Sequence, residues 1–167
     1  LAFTNCLKAY LQVLLAQGDY MENKSTIQAF AHCDGPCGVY DPASARVAAE
    51  AVQSMTKKMV ALSSGDADKS SASYINTMSR YAAIKEEESQ KCKDEVLVLW
   101  TDFFKPQHLE AYPDLHTTFW MAAKLCSACK VEVSEQHAQE LMDAVEEIHN
   151  MFWATTVSYT HLRAHET

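Results

Sequence analysis

The stretch DPASARVAAEAVQSMTKKMVALSS, residues 41–64, decides the fold. Its apolar residues Val47, Ala51, Val52, Met55, Met59 and Leu62 recur at the three-and-four spacing that lines one face of an α-helix. Asp41 can cap the start with its carboxylate, and Pro42 suits the first helical position, where no backbone N–H is needed. Ser63-Ser64-Gly65-Asp66 ends the pattern.

The same reading extends outward from this helix. A second, longer helix is expected from about Lys69 to Phe103. Tyr74, Ile75, Met78, Tyr81, Ala82, Ile84, Val96, Leu97, Leu99 and Trp100 form its buried face, and the run Lys85 to Lys93 is a solvated charged face. Pro106 and Pro113 bracket a short connector. A third helix, about Pro113 to Lys130, carries Leu115, Phe119, Trp120, Ala123 and Leu125. A fourth, capped by Ser134 and running to about Ala154, carries Leu141, Val145, Ile148, Phe152 and Trp153. Four amphipathic helices with short connections predict an all-α, up-down-up-down four-helix bundle.

Composition agrees. Of 167 residues, 48% are hydrophobic, while Gly and Pro number only 4 each, which suits a helical core better than a turn-rich sheet. A net charge of -8 argues against nucleic acid as a partner, because a phosphate-binding surface needs clustered Lys and Arg. No run of 18 apolar residues is present, so no membrane-spanning helix is expected. The six cysteines are few for the length and do not form a secreted disulfide framework. They suit a reducing, cytoplasmic setting, in which a close cysteine pair binds metal or does redox chemistry.

Residues 1–31 read as a leader, or as upstream read-through, lying outside the fold. Cys6 to Ala16 is apolar but lacks a charged segment before it. Met21 offers a start, and Ala29-Phe30-Ala31 is a small-x-small pattern suited to a processing protease. The folded domain is expected at 32–157. Residues 158–167 resemble a translated cloning adapter and are read as a non-native tail.

Between the leader and the first helix lies His32-Cys33-Asp34-Gly35-Pro36-Cys37-Gly38-Val39-Tyr40-Asp41-Pro42. The two thiols of Cys33 and Cys37, in a segment with Gly35, Pro36 and Gly38, can curl around one metal ion. Thiolates select soft or borderline metals, whereas zinc would want four side-chain ligands and the segment offers three. Cleavage before His32 would free an amine beside Cys33. Amine, deprotonated Cys33 amide and two thiolates can form a square plane, with the His32 imidazole on its axis; such nitrogen-rich sites point to nickel or copper. Taken alone, His-Cys-x3-Cys also fits a structural zinc half-site or free thiols in a loop.

The longer string resembles the nickel hook of nickel-containing superoxide dismutases nearly residue for residue. Ala45-Arg46, Trp100-Thr101-Asp102-Phe103-Phe104-Lys105-Pro106, Ala111-Tyr112-Pro113-Asp114-Leu115-His116-Thr117 and Met151-Phe152-Trp153 extend the resemblance over His32 to about Ala154. It implies a four-helix bundle with an irregular N-terminal hook, assembled as a homohexamer, with one nickel ion per subunit. A leader-processing protease would expose His32. His32 would then bind through amine and imidazole, Cys33 through amide and sulfur, and Cys37 through sulfur. Tyr40 would line the access to nickel and order water, Asp34 would lie close to the substrate, and Lys105 would help attract superoxide. The implied activity is dismutation of superoxide to oxygen and hydrogen peroxide by Ni(II)/Ni(III) cycling. The alternative is a helical bundle that holds zinc or nickel without turnover.

Two departures stand out. The family's glutamate and arginine that hold the axial imidazole align with Ala48 and Glu88. Glu88 is therefore the expected replacement partner for His32, with Glu50 as the fallback. Phe103 stands where many members have tyrosine. Elsewhere, Cys126-Ser127-Ala128-Cys129 closes a helix instead of following a strand, so it reads as packing and not as a redox motif. Cys92 reads as a plain thiol, His108 and His116 as structural, and His137 and His149 as surface or interface residues.

Overall fold

In the computed structural model, residues 39–163 can be described, with side chains through residue 156. Among them are four α-helices: α1 (Ala43–Ser64), α2 (Ala72–Val98), α3 (Leu115–Val131) and α4 (Glu135–Arg163). A π-helical turn, Leu99–Phe103, continues α2, and a 3₁₀ turn, Pro106–Leu109, precedes α3. Consecutive helices pack side by side, and α1 closes the ring against α4. This is the expected up-down-up-down bundle.

Local chemistry sets the ends. Asp41 Oδ1 accepts the Ala43 N–H at 2.8 Å, so the expected capping carboxylate is in place. The α2 start falls at Ser71, two residues later than Lys69, because its hydroxyl accepts the Tyr74 N–H at 3.2 Å. Ser134 Oγ accepts the His137 N–H at 3.2 Å and starts α4 as expected. The α4 helix runs well past Ala154.

The core is small on α1 and bulky opposite it. Ala45, Ala48, Ala49 and Val52 face inward from α1, while Leu115, Phe119, Leu141, Val145, Ile148 and Phe152 fill the interior from α3 and α4. The alanines let the neighbouring backbones approach closely, and the aromatic residues fill the wider end.

Two expectations for α2 are corrected. Before Lys85 no residue of α2 is buried; Ile75 is 54% exposed and Ile84 38%. The reason lies in α3, which has 17 residues against 27 in α2 and ends alongside Lys85. The first half of α2 therefore has α3 on no side. The run Lys85 to Lys93 is also not wholly solvated, since Lys85, Ser89 and Cys92 are buried.

Lys85 shows why a cation can be buried there. Its ammonium donates to the carbonyls of Cys129, Lys130 (3.0 Å) and Glu132 (3.1 Å). These are the last carbonyls of α3, which have no partner within the helix and carry its partial negative charge. Burial lowers the Lys85 pKa, against the pull of Cys129 and Glu86. Lys85→Met should leave those carbonyls without their donor and cost about 2 kcal/mol in a urea melt. An unchanged midpoint would show the cap to be dispensable.

Candidate metal centre

The π turn at the end of α2 organises one end of the bundle. Its widened register turns Phe103 toward α4 and sends Phe104 into the core, with the Phe104 N–H donating to Leu99 O at 3.1 Å. Phe103 stacks near Phe152 with ring centroids 4.3 Å apart and meets Phe104 edge-on at 5.0 Å. Tyr40, half-buried where the chain enters α1, meets the Phe103 ring at 5.7 Å. Two residues past Phe103, the exposed Lys105 has its ammonium anchored on Asp102 O at 2.6 Å.

His108 holds this loop from beneath. It is buried, and its Nδ1 accepts the Lys105 backbone N–H at 3.1 Å. That bond requires a ring unprotonated at Nδ1. Burial, and then the charge of Lys105, keep the His108 pKa below its usual 6.5. Between 6.5 and that lowered value the unfolded chain binds more protons than the folded one, so stability falls as pH falls. A melting series from pH 7 to pH 5 should show the loss. His108→Gln, which keeps an acceptor but does not titrate, should flatten it; an unchanged slope would assign the acid sensitivity elsewhere.

Of the expected site residues, Tyr40 and Lys105 are brought to this one end, Tyr40 packed on Phe103 and Lys105 two residues beyond it. His32, Cys33, Asp34 and Cys37 lie outside the described residues, so their geometry is not part of this picture. Among the described residues no group of three or more His, Cys, Asp or Glu is placed to hold a metal ion. Glu88 lies on α2, paired with Lys91 at 2.8 Å, with its side chain 20% exposed. Glu50 is exposed and ion-paired with Arg46 one turn away. Sequence reasoning missed the Lys105–His108 bond and the contact of Trp100 Nε1, which donates to His116 Nδ1 at 2.9 Å. The spacing Lys-x2-His was the available signal for the first.

The sequence model of the family described as nickel-containing superoxide dismutase matches residues 27–156. The chain belongs to that family. The superoxide dismutase [Ni] of Streptomyces seoulensis is 39% identical over 129 residues, covering 77% of this chain and 91% of the relative. That of Streptomyces coelicolor is 40% identical over 125 residues, covering 75% of this chain and 88% of the relative. A crystal structure of a nickel-containing superoxide dismutase, with nickel ligation corresponding to the oxidized state, superposes with a TM-score of 0.65 at 40% identity. It covers 75% of this chain and 98% of its own. A native nickel superoxide dismutase structure gives the same TM-score, 0.65, at 38% identity.

This nickel superoxide dismutase chain therefore carries a nickel cofactor and an oxidoreductase activity on superoxide. The donors of the hook suit that metal, since thiolate and imidazole are ligands for borderline and soft ions. No helix among the described residues is long and apolar enough to cross a membrane.

Proposed function

We propose that dismutation takes place at a hook formed by cleavage before His32. His32 and the Cys33 and Cys37 thiolates hold the nickel, and Asp34, Tyr40 and Lys105 serve the substrate. Nickel, passing between Ni(II) and Ni(III), supplies the one-electron chemistry that converts superoxide to oxygen and hydrogen peroxide. The observation that carries the reading is the joint placement of Tyr40 and Lys105 at the end of the bundle from which the hook departs. In a protein of net charge -8, an anchored ammonium at that end gives an anionic substrate a local attraction. The Tyr40 hydroxyl is suited to order water beside the hook and to screen what approaches it. Phe103, packed on Tyr40, contributes no second hydroxyl.

For the imidazole partner we propose Glu88, read against the helix register. With Tyr40 against Phe103, the antiparallel pairing of α1 and α2 sets Ala48 opposite residue 95 and Glu88 opposite residue 55. Ala48 and Glu88 of one subunit are then separated by about 10 Å along the bundle. Within one subunit the two positions therefore stand about two helical turns apart along the bundle. In the proposed homohexamer the Glu88 carboxylate reaches the imidazole from the same subunit or from a neighbour. Val47, Ile75, Trp120, Met121 and Trp153 are exposed apolar side chains of the kind that assembly covers. The domain boundaries proposed are a leader through Ala31, a dismutase domain at 32–157 and a tail at 158–167.

The test is the purified processed protein. Metal analysis should give one nickel per chain, EPR a rhombic Ni(III) signal, and pulse radiolysis rapid superoxide decay. A colourless zinc protein without turnover would overturn the proposal in favour of a non-catalytic metal-binding bundle.

A further inference from the structure

Cys92 of α2 and Cys126 of α3 are 0% exposed, and Cys129 of α3 is 3% exposed. All three are free thiols within the one core cluster. Cys92 and Cys126 lie buried on the two helices that meet at the α2–α3 seam, each next to a residue of the Lys93–Ser127 contact. Polar clamps fix that seam: the Lys85 ammonium on the end carbonyls of α3, and Lys93 Nζ on Ser127 Oγ at 3.0 Å. The thiol pair is thus held in register by contacts that neither cysteine makes.

We propose that Cys92 and Cys126 are a redox pair, closed to an interhelical disulfide by hydrogen peroxide, the product of this protein's own dismutation. The competing pair is less suited. Cys126 and Cys129 are three residues apart on one helix, where Cβ atoms stand about 5–6 Å apart. A disulfide requires about 3.5–4.5 Å, so joining them would distort the last turn of the helix.

The three thiols differ in readiness. Contact with Cys92, and then the charges of Lys93 and Lys130, draw the Cys126 pKa down against burial. The contact with Cys126, and then burial, push Cys92 well up, while burial pushes Cys129 up to about 11. The cations Lys93 and Lys130 beside Cys126 favour its thiolate, which makes Cys126 the attacking sulfur and Cys92 the resolving one. The Cys126 sulfur attacks one peroxide oxygen, the O–O bond breaks, and the departing hydroxide takes the proton Cys126 released, leaving as water. Cys126 is left as a sulfenic acid. The Cys92 sulfur then attacks the Cys126 sulfur. The S–S bond forms and the S–O bond breaks, and hydroxide leaves with the Cys92 proton as a second water. Two thiols lose two electrons, and one peroxide gains them.

Because both sulfurs are buried, the reaction waits on opening of the seam and is slow against turnover. The oxidised fraction then records accumulated peroxide, and the closed form ties α2 to α3.

The experiment uses the nickel-loaded processed protein. It is incubated with excess hydrogen peroxide, quenched with catalase, unfolded, alkylated and digested without reduction. Peptide-level assignment keeps oxidation of Cys33 and Cys37 separate. The expected product is the Cys92-Lys93 peptide joined to the peptide 125–130, lighter by two hydrogens, with the alkyl group on Cys129. The oxidised protein should melt several degrees higher than the reduced form, and a reductant should reverse the gain. Recovery of Cys92 and Cys126 fully alkylated after peroxide, or a bond confined to Cys126 and Cys129, would overturn the proposal.

Discussion

Replacing Cys37 by serine is expected to reduce superoxide decay to the rate seen without protein and to abolish nickel binding, while the far-ultraviolet circular dichroism of the bundle stays unchanged. A serine hydroxyl is not ionised near neutral pH and is a hard donor, so it cannot substitute for a thiolate toward nickel. The bundle does not depend on this ligand. Its core is made from Ala45, Val52, Val96, Leu115, Phe119, Leu141, Val145 and Ile148, all beyond the hook. The two readouts must therefore separate. Loss of helicity together with activity would give the hook a structural role that the account denies, and a variant with wild-type turnover would remove Cys37 from the ligand set.

An equally large effect is expected from one extra residue before His32. With a preceding residue, the His32 nitrogen is an amide. It is no longer a basic amine, and its lone pair is delocalised into the peptide bond. A chain beginning at Ala31 should take up little nickel and show no dismutation above background, although it differs from the processed form by a single small residue. Trimming that residue with an aminopeptidase should restore activity. Full turnover by the extended chain would mean that the metal is bound without the terminal amine.

Most of the bundle was legible because periodicity reports burial directly. Val52 and Met59 on α1, and Leu141, Val145, Ile148 and Phe152 on α4, were read from spacing and are buried. Capping chemistry was equally local, and Asp41 and Ser134 do cap. What escaped depends on where a distant element ends. Lys85 reads as solvated within its own charged run. It is buried because α3 terminates against it, and no local pattern carries that information. Cys92 was hidden in the same way, between the charged residues Lys91 and Lys93. Ile75 and Ile84 failed in the opposite sense, being apolar at helical spacing but beyond the reach of α3. Trp120 and Trp153, counted among the apolar residues of the third and fourth helices, stay about half exposed in the single chain, at 53% and 43%.

The candidate site was read in another way. The hook and the segment around Lys105 match the family as strings, and Tyr40 and Lys105 were named from that match. The packing of Tyr40 on Phe103, two residues before Lys105, is a product of the fold. The π turn that makes it has no sequence signal in Leu99–Phe103 beyond the aromatic residues themselves. That Ala48 stands where the family resemblance places a glutamate was visible at once. Its separation from Glu88 was not, because that distance comes from the α1–α2 register.

The most direct test of the hook is the N-terminal sequence of the protein purified in active form. The account predicts His-Cys-Asp, beginning at His32. Active protein beginning at any other residue would contradict it.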